Sequence, residues 1–317
     1  MIADSIEHRL EQQIEAFGTM GSQLYQHALE RALADYRARG VMYRFFEKNP
    51  ARKGMSTPGV RLMAAFYYLA LTGDAPEIAR LLPSCGGPAG KWDELWVAMH
   101  SRLESDGERI GELFARTPQT NEVLRATVLS AGLSAFARTT GLPLRLFEIG
   151  ASAGLNTRIT SGDYVIAERA ACDLHPLDIH SEEDCTRLLS YVWADDGERI
   201  ALLRQAIERA RTLPLTVEQA DMFEWLPRRV EPRAGYATVV MQSVVADHLS
   251  KDERARLWGI IEAIGATASS ASPFAWLRME FDRPTRRYET RLRAWPGGYD
   301  ELIASSTGHA RSIEWIA

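Results

Sequence analysis

The chain has 317 residues, a net charge of −5, 46% hydrophobic and 25% charged residues. This is the make-up of a globular protein large enough to bury a core. An acidic balance excludes a dominant nucleic-acid footprint, which needs clustered positive charge. The three cysteines, Cys85, Cys172 and Cys185, are too scattered for a disulfide framework, so a reduced, cytoplasmic setting is expected.

The first segment, MIADSIEHRLEQQ, carries charge from its first turn, unlike a signal peptide. Ile6, Leu10, Ile14 and Phe17 keep the spacing of one apolar helix face, and Leu24, Ala28, Ala32 and Tyr36 continue it after Gly21. Val60 to Leu71 is denser in apolar residues and predicts a helix buried on most sides. Leu62 to Leu71, the longest apolar run, is about half of the ~20 residues that a membrane-spanning helix needs. No membrane role is expected. Thr117-Pro118 has the form of a helix start, and a helix is predicted from Asn121 to Thr140.

Beyond Gly141-Leu-Pro143, short apolar runs alternate with helical stretches. LRLFEI, AACDL, LTVEQAD, ATVVMQS and FAWLRMEF read as strands, and 153–160, 195–211 and 251–265 as helices. Such alternation predicts an α/β fold with a mostly parallel sheet. Only DRPTRR joins the strand-like segments 274–281 and 288–295, so these two are expected to pair antiparallel. The organisation read here is a helical N-terminal cap over 1–140 and a Rossmann-like domain, antiparallel at its C-terminal end, over 141–317.

The stretch FEIGASAGLN (147–156) carries the first functional signal. Gly150-Ala-Ser152-Ala-Gly154 satisfies the G-x-S-x-G pattern of a hydrolase nucleophile elbow, with Asp221 or Asp247 and His309 available as partners. The same residues resemble the acidic-x-Gly-x-Gly-x-Gly loop of class I methyltransferases, with Ser152 in place of the middle glycine. About 20 residues after such a loop, an acidic residue commonly meets ribose hydroxyls, and Asp173 stands there. Asp221-Met222 closes the next strand-like run, and Gln242-Ser243 the fourth. The methyltransferase-like loop is favoured over the elbow, because no HGGG-type oxyanion segment accompanies Ser152 and a long helical region precedes the first strand.

Taken in order, MGSQLYQ (20–26), PGVRLMAAFYYLALTG (58–73), QTNEVLR (119–125), FEIGASAGLN, CDLHPLD (172–178), VWADDGER (192–199) and WPGG (295–298) resemble the bacterial "domain of unknown function 2332" family. The resemblance implies a class I methyltransferase-like domain behind a helical region, with no reaction attached. Two features depart from that family pattern. Gln242-Ser243, followed by Asp247-His248, replaces a His-Ser pair followed by Gln-Tyr, and the loop after Asn156 is short.

The expected ligand is S-adenosylmethionine, held by Glu148, Gly150, Ser152, Gly154, Asp173, Asp221, Met222 and Gln242. Its methyl would pass to a small-molecule acceptor, and such transfer depends mainly on alignment. Asp247 or His248 is a candidate general base, the alternative being the cap and first turn of the following helix. Gln119, Asn121, Glu122 and Arg125, together with Asn156, are expected to line the pocket; alternatively the first four form a capped helix start with a surface ion pair. Cys172, Asp173, His175, Asp178, His180 and Cys185 lack paired ligand spacing, so turn chemistry is favoured over a metal site. Arg278, Arg283, Arg286, Arg287, Arg291 and Arg293, offset by Glu280, Asp282 and Glu289, read as a solvated strand pair rather than an RNA track. A binding protein that keeps the fold without a reaction is the alternative function.

Overall fold

The computed structural model describes residues 5–50, 57–159 and 162–316. Helices α1 (Ile6–Met20), α2 (Gln23–Arg37), α3 (Val41–Lys48), α4 (Pro58–Thr72), α5 (Pro76–Ala79), α6 (Trp92–Ala115) and α7 (Arg125–Thr140) precede β1 (Leu144–Ile149). Then follow α8 (Leu155–Ile159), β2 (Ile166–Asp173), α9 (Glu182–Ser190), α10 (Gly197–Arg211), β3 (Val217–Gln219) and α11 (Met222–Arg229). The chain continues through β4 (Ala237–Ser243), α12 (Lys251–Gly265), β5 (Phe274–Asp282), β6 (Arg287–Trp295), β7 (Tyr299–Ser306) and β8 (Ile313–Trp315). None of the described helices is long and apolar enough to cross a membrane.

Two compact units result: Met1–Thr120 with Ser181–Arg204, and Asn121–His180 with Gln205–Ala317. The first unit is therefore discontinuous, whereas the sequence suggests one boundary near Thr140.

Within the first unit, α4 is buried along nearly its whole length, as its density of apolar residues predicts. Its one buried cation, Arg61, donates to the carbonyls of Arg116 (2.6 Å) and Phe114 (3.4 Å), satisfying acceptors that the end of α6 leaves open. Two sequence motifs meet here. Ser22 caps α2 and donates to the Asp195 carboxylate at 2.9 Å, which also accepts from the Leu24 N–H at 3.2 Å. Trp193 packs against Phe17 and Tyr25, and the Tyr25 hydroxyl accepts from the Ala194 N–H. MGSQLYQ and VWADDGER thus form one helix-capping joint.

In the second unit, eight strands among the described residues form one sheet in the order β3-β2-β1-β4-β5-β6-β7-β8. Strands β1 to β5 pair in parallel, while β6, β7 and β8 add antiparallel, as the short DRPTRR link requires. Alternation along the central strands buries both faces. Leu144, Leu146, Val239, Met241 and Leu277 pack with Val128, Leu129, Leu133 and Phe136 of α7. Phe147, Ile149, Val240 and Trp276 pack with Trp225 and Leu226 of α11 and Leu257 and Ile261 of α12.

Several boundaries differ from the sequence reading. Residues 117–122 lie outside any helix and α7 begins at Arg125, so Thr117-Pro118 starts no helix and Glu122 and Arg125 share no helical face. Strand β2 begins at Ile166, before AACDL. Asp221 ends no strand: it is the N-cap of α11, accepting from the Phe223 N–H at 2.8 Å, with Met222 the first helical residue. Asp247 and His248 sit in a 3-10 turn, and α12 is capped by a Ser250–Glu253 capping box. The arginine-rich strands are half-buried rather than freely solvated. Arg278 and Arg291 converge on Asp300 (2.6 and 3.2 Å), and Arg293 pairs with Glu262 (2.6 Å).

Candidate functional site

In an open α/β sheet, ligands bind outside the carboxyl ends of the strands where the strand order reverses. Here that point lies between β1 and β4. Strand β1 continues to β2 on one side, while β4 begins the run to the opposite edge.

Beyond β1, Gly150, Ser152 and Gly154 all take positive φ (63°, 55° and 67°), folding the chain into a tight bend before α8. Two further motifs pin this bend. The Asn121 Oδ1 accepts from the Leu155 N–H at 3.0 Å, capping the first turn of α8 from outside the helix. The Asp173 carboxylate accepts from the Ser152 N–H (2.8 Å) and the His175 N–H (2.9 Å). The Leu177 N–H in turn reaches the Ser152 carbonyl at 3.2 Å. Asp178 likewise accepts from the His180 N–H, so Asx turns order the CDLHPLD loop.

Glu148 is 2% exposed and accepts from both the N–H and the hydroxyl of Thr157. Burial pushes its carboxyl up to about 7; the Thr157 bonds oppose this, and the nearby Asp173 charge adds to it. Arg158, also buried, ties the Ala153 carbonyl to those of Leu213 and Leu215. Two buried polar atoms of the bend, Ser152 Oγ and Asn156 Oδ1, have no hydrogen-bond partner among the described residues. Ser152 therefore engages no base, although its backbone has the positive φ of an elbow.

Beyond β4, Val244 also has positive φ (56°), a strained state for a β-branched residue. Val245 follows, 5% exposed, and its Cγ2 lies 2.7 Å from where a Cβ on Gly150 would stand. Valine thus occupies the space that the glycine leaves open. The Val245 and Ala246 N–H groups donate to Glu280 (3.0 and 3.1 Å), as does Gln242 Nε2 (2.6 Å), while Gln242 Oε1 accepts from Trp276 at 3.0 Å. Burial raises the Glu280 carboxyl above its ordinary value, opposed by these hydrogen bonds. Asp247 and His248 are exposed on the same segment.

The expected residues thus have unequal fates. Glu148, Gly150, Ser152, Gly154, Asp173, Asn156 and Asn121 gather around one bend, where Asp173 bonds Ser152, Asn121 bonds Leu155 and Glu148 bonds Thr157. Arg125 directs its Nε to the Gly308 carbonyl (3.2 Å), and Gln119 belongs to the first unit. Gln242 serves Glu280 and Trp276. Glu280 is the residue that sequence reasoning missed: it read as one acid among surface arginines. The available signal was parity, since residues 274, 276 and 280 share one face of β5.

Fold and site together define an α/β protein with a tightly braced bend at the switch point of its sheet. The family model described as "uncharacterized protein conserved in bacteria (DUF2332)" matches residues 7–166 and 160–315, and the chain belongs to that family. No curated protein shows a significant match to it.

Proposed function

We propose that the second unit binds S-adenosylmethionine at the carboxyl ends of β1, β2 and β4, and that the associated reaction is methyl transfer to a small-molecule acceptor. One observation carries the reading. Five parallel strands in the order 3-2-1-4-5 place a bend of small, positive-φ residues after β1, bonded directly to an acid ending β2. That order and that pairing of elements are shared by Rossmann-like methyltransferase domains and by doubly wound nucleotide-binding folds. The orphaned Ser152 Oγ and Asn156 Oδ1 add to it, because buried polar atoms without partners cost about 1–3 kcal/mol each and a bound ligand would offset that.

The closed arrangement does not fit the cofactor. Val245 stands against Gly150, and both Asp173 oxygens already serve backbone N–H groups. Binding therefore requires the β4 end to move. Asp247 and His248, exposed on that same stretch, are the groups available to take a proton from an acceptor. The same two observations favour a second reading, in which the protein binds a nucleoside-type ligand and performs no transfer.

Calorimetry and thermal shift with S-adenosylmethionine and S-adenosylhomocysteine test the reading. A ligand at about 100 times its Kd raises stability by about 2.7 kcal/mol. Binding to neither compound overturns the cofactor assignment. Binding without turnover across a panel of acceptors selects the second reading.

A further inference from the structure

We infer that the segment from Val244 to Leu249 is a plug that closes the crevice over Gly150 and is latched shut by Glu280. The inference rests on the ligand site proposed above. It adds that the unliganded protein is held closed by its own chain.

Three observations converge on it. The first is steric: the Val245 side chain fills the space beside Gly150, where absence of a Cβ would otherwise let a ligand approach the backbone. The second is strain. Val244 takes φ of 56°, a strained region for a β-branched residue, so surrounding bonds must hold it there. The third is the source of that hold. One half-buried carboxylate, Glu280, gathers the successive N–H groups of Val245 and Ala246 together with the Gln242 amide. Successive N–H groups converging on one anion form a compact, directional clasp. Released from it, the Val244 backbone can relax to negative φ, which swings Val245 away from Gly150.

Two variants test the latch and the plug separately. In Glu280→Gln, the amide turns one pair of hydrogens toward groups that are themselves donors, so the clasp weakens. Val245→Ala thins the plug and keeps the latch, and it guards against loss of fold in the first variant. Affinity for S-adenosylhomocysteine is measured by calorimetry, and amide exchange of a peptide spanning 243–249 by mass spectrometry. Both variants are expected to bind about tenfold more tightly than the parent chain, a difference of about 1.4 kcal/mol. Exchange in 243–249 should quicken in Glu280→Gln while β4 stays protected. Equal affinity in all three proteins, with unchanged exchange, overturns the plug and leaves the ligand assignment standing. Faster exchange in Glu280→Gln without binding by any of the three supports the latch and overturns the ligand assignment. Unchanged exchange with no binding by any of the three overturns both the plug and the ligand assignment.

Discussion

The Asp173 carboxylate accepts a hydrogen bond from the Ser152 N–H at 2.8 Å, joining the end of β2 to the bend after β1. An acid at this position invites a ribose-binding role, yet here its oxygens brace the protein's own loops. Asp173→Asn separates the two roles. Loss of charge-assisted bonds to Ser152 and His175 should cost about 1.5–3 kcal/mol. In calorimetric melting this lowers Tm by roughly 4–8 °C. Unchanged Tm with weakened ligand binding would show that the carboxylate serves the ligand instead.

Stability should depend on pH through Glu148. Its carboxyl is raised to about 7 in the folded chain, chiefly by burial, against an ordinary value of 4.5. Between these values the native state holds a proton that the unfolded chain has released. The contribution is therefore complete below about pH 4.5 and is lost as pH rises through about 7. Its full size is on the order of 3 kcal/mol. Glu148→Gln should flatten part of this fall in urea titrations at pH 5 and 8. Glu280 and Asp195, also raised by burial, keep a residual slope of the same sign.

Asn121→Ala strips the acceptor from the buried Leu155 N–H. An unsatisfied donor of this kind costs about 1–3 kcal/mol. Chemical denaturation should show that loss, and Asn121→Asp should recover most of it by restoring an acceptor.

Gly154→Ala should be destabilising by at least about 1–2 kcal/mol, because a left-handed backbone penalises any Cβ. The new carbon would also sit 2.8 Å from Val217 Cγ2. The variant's urea midpoint measures the cost, and a wild-type midpoint would mean that the bend relaxes.

Thiol titration should find one fast cysteine. Cys85 is exposed, whereas Cys172 and Cys185 are buried. Burial, aided by the Asp173 charge, pushes the Cys172 thiol up to about 12, which suppresses the reactive thiolate. A disulfide-exchange reagent should label Cys85 alone in the native protein and all three in denaturant.

Much of the strand pattern could be read directly. LRLFEI and ATVVMQS coincide with β1 and β4, because strands buried on both faces appear as short unbroken apolar runs. The antiparallel ending followed from a link too short for a crossover. The start of α7 was misread because Thr117-Pro118 imitates a helix start, while the chain is held in another course until Arg125. Asp221 was placed at a strand tip for a similar reason: an acid after an apolar run signals a strand end and a helix cap alike.

By itself, the sequence determined the alternation of strands and helices, the helical leading segment, and the glycine-flanked bend, since each depends on neighbours within a few residues. Only the tertiary structure decided what the polar residues of that bend do. Asn121 meets Leu155, Asp173 meets Ser152, and Glu280 meets Val245 and Ala246, across separations of 34, 21, 35 and 34 residues. Hydrogen bonds over such distances depend on strand order and register, which carry no local signature. A carboxylate that reads as a ligand contact can therefore prove to be a brace.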